Sequence, residues 1–328
     1  MTGGDAMRKL NRLRGVAMVL ALVTMPAYAQ YPTRPVRFIV AFPAGGGVDI
    51  VARTVGEKLT PRLGQQIVIE NRPGGGTTIG TEMVARSTPD GHTLLVGPIG
   101  GAAIAQSYYR KLGYDIRRDF APITKIGYGT IVLVVPPGLG VGSVKELIAL
   151  AKAKPGQLTF ASSGTGALIH LTGELFKQLA GVDILHVPYK GTSQLLPDLI
   201  DGRVSMALDS MPAHLPHIKA GRLRALAVAS RQRSPQLPEA PTLIEAGLPG
   251  FQSNTDYALY APARTPSDIV ARLNREMNGV LQQADVRARL AAQGIEVSGS
   301  TPEALQAEVL DELGKWERVI RNANIKQE

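Results

Sequence analysis

The chain has no cysteine, one tryptophan and an aromatic content of only 5% over 328 residues. Without cysteine there is no disulfide scaffold, no thiolate metal site, no Cys nucleophile and no lipid-modified N-terminal Cys. No Lys/Arg-rich stretch is interleaved with aromatics, so nucleic acid is not an expected partner. No apolar run reaches the ~20 residues that span a bilayer. What is present is ordinary for a globular chain: 44% apolar and 19% charged residues, with 36 Gly and 23 Pro. Gly and Pro together stay below the roughly 25–30% that marks low-complexity disorder. At roughly 100–200 residues per domain, the length predicts two domains, each with its own core.

The first thirty residues read as an export signal. Arg8, Lys9, Arg12 and Arg14 precede the apolar run Val16-Ala-Met-Val-Leu-Ala-Leu-Val23, and Ala27-x-Ala29 has the small-residue spacing of a signal-peptidase site. Residues 1–29 are therefore expected to be a signal peptide cleaved after Ala29, leaving a periplasmic protein. Its removal takes away four basic side chains and Asp5, lowering the formal net charge from +9 to +6.

The remainder alternates short apolar runs with amphipathic segments. Strands are predicted over 36–42, 67–69 and 93–96, with helices over 49–59 and 78–85 between them. The pattern restarts near residue 130, with strands over 130–135, 158–161, 182–187, 204–208 and 223–229. Ser143 with Glu146 forms a capping box, and helices follow near 167–180 and 193–201. Residues 234–249 read as a connector, 257–261 as one more strand. Helices then start at Pro266 and Pro302, with Thr265 and Thr301 as caps. This is an α/β fold with mainly parallel strands and helices on both faces, its first unit ending near 130.

In open α/β sheets, ligands bind beyond the carboxyl ends of the strands, where loops feed helix N-termini. Three glycine-rich turns hold such positions: Phe42-Pro-Ala-Gly-Gly-Gly-Val-Asp49, Asn71-Arg-Pro-Gly-Gly-Gly-Thr77 and Ala161-Ser-Ser-Gly-Thr-Gly166. Glycines let the backbone approach a ligand and turn N–H groups inward, and a helix N-terminus adds about half a positive charge. Val48-Asp49 stands where a Walker motif needs Lys-Ser/Thr, and no loop carries a dinucleotide fingerprint. Asp49 would repel an anion, so its expected role is to satisfy loop or first-turn N–H groups. The sequence contains no G-x-S-x-G and no H-E-x-x-H. His92, His170, His186, His214 and His217 are not in metal-ligand spacing. One catalytic alternative stays open, a periplasmic serine hydrolase using Ser162 or Ser163 with His170 as base. A serine leading into a helix is more commonly a cap or a ligand donor.

An ordered set of motifs runs from about Tyr31 to the C-terminus. Phe42-Pro-x-Gly-Gly-x-x-Asp49, Glu70-Asn-Arg-Pro-Gly74 and Pro89-Asp-Gly91 are followed by Asp119-Phe-Ala-Pro122 and Ala161-Ser-x-Gly-x-Gly166 with His170. His186-Val-Pro-Tyr-Lys-Gly191, the segment 215–227 and Glu245-Ala-Gly-Leu-Pro-Gly250 complete it. The set resembles the Bug family, the periplasmic solute receptors of tripartite tricarboxylate transporters. The resemblance implies a two-lobed, Venus-flytrap (type II) fold with hinge strands. Lobe 1 would be 30–129 plus 255–328, and lobe 2 would be 130–254. It implies a monomer with no catalytic residue, no metal and no cofactor. The expected partners are a small organic carboxylate and either transporter membrane subunits or a sensor kinase. Carried over by motif, the ligand site comprises Pro43, Ala44, Gly45, Gly46, Gly47 and Val48 on one lobe. Ser162, Ser163, Gly164 and Thr165 face them from the other, and Asp209 holds a second group or a bridging water. The sequence departs from the pattern at Ala44, often a second Pro, and at Gly97-Pro-Ile-Gly-Gly101, where Asn, Ser or Thr is common. An apolar Ile99 on the cleft rim would favour a ligand less polar than citrate.

Overall fold

Residues 31–325 are described by a computed structural model, and the folded unit begins at Arg34. The export signal and the cleavage after Ala29 lie outside the described residues. The apolar run Val36–Val40 (β1) is buried along its length except at Arg37 and feeds α1 (Gly47–Leu63). β2 (Ile67–Asn71) leads through one tight turn at Gly75–Thr77 into α2 (Thr78–Ala85), and β3 (Thr93–Gly97) into α3 (Ile99–Tyr108). The long β4 (Phe120–Val135) opens the second half: α4 (Val144–Ala153), β5 (Thr159–Ser162), α5 (Leu168–Ala180), β6 (Leu185–Pro188), α6 (Thr192–Ile200), β7 (Met206–Ser210), α7 (Met211–Lys219) and β8 (Arg224–Val228). The chain then returns through β9 (Asn254–Pro262) to α8 (Ser267–Leu281), α9 (Ala284–Ala292), β10 (Ile295–Val297) and α10 (Pro302–Asn322).

Local chemistry accounts for the helix starts. Ser143 Oγ accepts from the Glu146 N–H at 3.2 Å, and the Glu146 carboxylate accepts from the Gly142 N–H at 2.7 Å. Thr301 caps α10 by accepting from the Ala304 N–H at 3.2 Å. Thr265 does not cap α8: its hydroxyl donates to the Pro262 carbonyl at 2.7 Å, which leaves Pro266 as an N-cap without a side-chain bond.

The strands run in the order β2-β1-β3-β9-β4-β7-β5-β6, with β8 and β10 also paired to β4. The outer pairs β1/β2, β1/β3, β5/β6 and β5/β7 are parallel, as helical crossovers require. Every pairing of β4 and β9 is antiparallel, so the sheet is mixed rather than mainly parallel. The reason is that β4 and β9 cross between the halves in opposite directions. β4 changes partners in mid-strand: Thr130 pairs with Asn254 of β9, and the next residue, Ile131, with Ser210 of β7. The fold is thus two α/β lobes joined by crossing strands. α10 packs against α3, β4 and α5 and buries Trp316 completely, in a core that continues from one half into the other.

Candidate functional site

The β1–α1 loop is tied down from beneath. Asp49, 3% exposed in the first turn of α1, accepts from the Gly45 N–H at 2.9 Å, from Arg53 Nε at 2.9 Å and from Asn71 Nδ2 at 3.0 Å. Asn71 Nδ2 also donates to the Phe42 carbonyl at 3.1 Å. Burial alone would raise the Asp49 pKa; the bonds from Arg53, Gly45 and Asn71 outweigh it and hold the carboxyl below its usual range. Asp49 therefore serves the loop, as its charge required. Pro43 to Gly47 are exposed above it, while Val48 is buried. A Cβ at Gly47 would lie 2.8 Å from the Tyr257 hydroxyl of β9, so only glycine lets the helix start this close to the hinge strand.

The β5–α5 loop is fixed in a different way. Ser162 is fully buried; its Oγ accepts from the Gly164 N–H at 3.2 Å and lies 2.6 Å from His186 Nε2. The Gly166 N–H donates to His170 Nδ1 at 3.1 Å. Gly164 and Gly166 take φ values of 132° and 77°, conformations that favour glycine. A Cβ on Gly166 would come within 2.8 Å of the Tyr108 ring of α3, so this loop lies directly on the opposite lobe.

Between the two loops is a cleft of about 540 Å³, well within the range of small-ligand sites. Ala41, Phe42 and Pro43 form one wall, continued by Pro73, Gly74 and Thr77 of the second glycine-rich turn. Gly101, Ile104, Ala105 and Tyr108 come from α3, Pro98 and Tyr109 from its two caps, and Thr255 from β9. The other lobe supplies Ser163 and residues 165–169. Among the described residues that line it, none carries a charged side chain. The polar groups are the hydroxyls of Ser163, Thr165, Thr77 and Thr255, together with Tyr108 and Tyr109, and main-chain amides. Thr77 has φ 86°, a strained conformation for a β-branched residue.

Three helices begin at or beside this cleft: α1 after Gly46, α3 after Pro98 and α5 after Ala167. None of the three N-caps accepts a hydrogen bond on its side chain. First-turn N–H groups remain available and their dipoles favour an anion. Of the residues assigned from sequence, Pro43, Ser163 and Thr165 line the cleft. Ala44, Gly45, Gly46, Gly47 and Val48 make the loop and first turn behind Pro43, and Gly164 sits between the two lining hydroxyl residues. Ser162 lies beneath its loop. Asp209, 1% exposed near the end of β7 and not among the residues lining the cleft, accepts from the Ser210 N–H through Oδ1, while among the described residues its Oδ2 has no hydrogen-bond partner and lies 3.9 Å from His214 Nε2. Ile99 is not on the rim: it is fully buried in the core, because residues 99–108 form a helix and not a turn. The second glycine-rich turn, flagged from sequence as a candidate ligand position, lines the cleft through Pro73, Gly74 and Thr77. Tyr108, Tyr109 and Thr255, which no spacing flags, were not identified from sequence.

The profile of the tripartite tricarboxylate transporter family receptor matches residues 51–325. The chain belongs to this receptor family. BugT of Bordetella pertussis is 38% identical over 322 residues, covering 98% of this chain and 99% of its own. Among solved structures, a Rhodopseudomonas palustris protein with adipate is 38% identical at a TM-score of 0.77, covering 91% of this chain and all of the other. MatC of the same organism, with bound malate, is 34% identical at 0.73, covering 88% and 100%. The serine that has a histidine partner, Ser162, is sealed from the cleft and faces His186 rather than His170. Ser163, which reaches the cleft, bonds to neither imidazole.

Proposed function

We propose that this receptor captures a small organic carboxylate with an apolar body in the periplasm, after cleavage behind Ala29, and releases it chemically unchanged. The observation that carries the reading is the uncharged, largely apolar cleft beside three helix N-termini without side-chain caps. Main-chain amides and the Ser163 and Thr165 hydroxyls hold the carboxylate; Phe42, Ile104, Tyr108 and Leu168 cover its body. Neutral donors bind an anion reversibly, without the buried guanidinium clamp that would slow release. Residues 43–48 act from one lobe and 162–165 from the other, and Asp209 holds a bridging water or second group through its spare Oδ2. The partner change between Thr130 and Ile131 supports lobes of 30–129 plus 255–328 and of 130–254. A ligand that touches both lobes favours their closed arrangement, the form handed as a monomer to transporter membrane subunits or a sensor kinase. No metal, cofactor or catalytic group enters the scheme.

Thermal shift and titration calorimetry on residues 30–328 with adipate, malate, citrate and benzoate-type acids test it. A ligand that binds the native state alone raises the melting temperature with its saturation. Adipate or a benzoate-type acid is expected to bind more tightly than malate or citrate and to be recovered intact. Tighter binding of citrate, or turnover abolished by Ser162→Ala or Ser163→Ala, would overturn the reading.

A further inference from the structure

We propose that His170 and His186 are positioning residues of the binding loop, two stacked neutral imidazoles whose acceptor nitrogens hold residues 162–166 so that Ser163 and Thr165 face the cleft. The inference rests on the carboxylate-receptor reading and adds a device to it. Among the described residues, Ser163 and Thr165 make no hydrogen bond of their own that would fix them; their neighbours do. Ser162 Oγ accepts from the Gly164 N–H, and of the two acceptors within reach of its own proton, the Gly164 carbonyl at 3.2 Å and His186 Nε2 at 2.6 Å, the nearer imidazole nitrogen is assigned the bond. The Gly166 N–H points at His170 Nδ1 at 3.1 Å, which requires that nitrogen to be unprotonated. The rings stack with centroids 3.9 Å apart and 22° between planes, and Phe160 lies against the His186 face at 4.9 Å. Two residues from different elements, α5 and β6, thus grip alternate members of one loop.

The grip depends on charge state. A proton added to either acceptor nitrogen turns it into a donor facing a donor, and two imidazolium rings at stacking distance repel. The surroundings keep the pair neutral: burial lowers both pKa values to about 4, His170 further through the charge of His186 and both through Lys177. The charged groups facing the pair are Lys177, whose Nζ lies 5.8 Å from the Phe160 ring, and Glu174. Glu174 Oε1 binds Lys177 at 3.0 Å and stands 4.0 Å from His170 Nε2, the nitrogen that carries the proton. At neutral pH the loop is set for a ligand; acid below about pH 5 loosens it.

The test uses residues 30–328 with His186→Gln, which keeps an acceptor that cannot titrate, and His186→Phe, which keeps the stack and loses the acceptor. Amide spectra of the ligand-free proteins are followed from pH 7 to 3.5, with the melting temperature as a check on folding. In the wild type the Gly164 and Gly166 amides shift together with a midpoint near 4. In His186→Gln the Gly164 amide becomes independent of pH, and the Gly166 transition moves to higher pH because the neighbouring charge is gone. At pH 7, affinity for whichever panel acid raises the wild-type melting temperature most falls about tenfold in His186→Phe and less than about threefold in His186→Gln, the scale of one hydrogen bond. A Gly164 titration unchanged in His186→Gln, or wild-type affinity in His186→Phe, overturns the proposal. If no acid binds the wild type, the carboxylate reading fails while the amide shifts still decide the role of the histidines.

Discussion

Asp49 illustrates how one side chain can serve an anion site by staying out of it. A carboxylate beside a bound anion would repel it, yet the glycine loop ahead of α1 needs an acceptor for its Gly45 amide. Burial at 3% exposure beneath the loop resolves the conflict, because Arg53 and Asn71 neutralise and engage the charge while only the Gly45 amide is drawn toward it. Asp49→Ala is expected to cost about 2–3 kcal/mol, the loss of two or three charge-assisted hydrogen bonds with Arg53 left half-solvated. Ligand affinity should fall in parallel, since Phe42 and Gly45 lose their restraint. Urea denaturation and calorimetry on the same sample check both effects; full stability with unchanged affinity would contradict the assignment.

Among the elements, α10 braces the crossing strands β4 and β9 on the lobe 1 side, and it does so through a buried charge cluster. Lys125 of β4 lies 2.8 Å from Asp256 of β9 and also binds Glu308 of α10. Burial opposes the ammonium, but the two carboxylates together hold the Lys125 pKa above its ordinary value. Burial lifts Asp256 to about 6, against the pull of Lys125. Lys125→Met would strand two carboxylates on a single apolar contact and is expected to destabilise the protein by about 3–5 kcal/mol. The double variant with Asp256→Leu should recover most of that in urea melts; a single variant losing under about 1 kcal/mol would show the cluster to be idle. This arrangement also marks where sequence reading stopped. The βα units were legible because their apolar spacing is local, and α2 was delimited to the residue. The first ten residues of β4 were not, because Pro122, Gly127 and Gly129 interrupt the pattern where the strand tolerates irregular register with β9. Helix α3 was read as a turn on the strength of Gly97-Pro98 and Gly100-Gly101. Its weak helix propensity is overridden by the packing of Ile99, Ala103 and Ile104 in the core shared with Trp316. The same distant packing brings Tyr108 and Tyr109 to the cleft, so half of its wall was invisible to any local rule.

At the scale of the whole molecule, the pH dependence of stability brings the two buried charge systems into opposition. His170 and His186 have native pKa values of about 4, against roughly 6.5 for an unfolded chain. Between these values the unfolded state binds more protons, so the stability they provide is complete above pH 6.5 and is lost as pH falls toward 4. Asp256 has the opposite sign. Its native pKa of about 6 lies above the ordinary 3.8, so the native state binds the extra proton and gains stability as pH falls through 6. In the window from pH 6.5 to 5 these groups act together with His217, whose pKa burial and the charge of Arg222 also lower and whose effect has the same sign as that of the two stacked imidazoles. Carboxylates held low by partners, such as Glu70 at about 2, begin to cost stability only where unfolded carboxylates protonate, nearer 4.5. Three imidazoles against one carboxyl predict a melting temperature that declines modestly across the window. Asp256→Asn removes the compensating gain and should steepen the decline, while His186→Gln removes part of the loss and should flatten it. Scanning calorimetry at half-unit pH steps distinguishes the two slopes. A steeper decline in His186→Gln, or a flatter one in Asp256→Asn, would mean that these side chains do not hold in solution the protonation states their burial imposes.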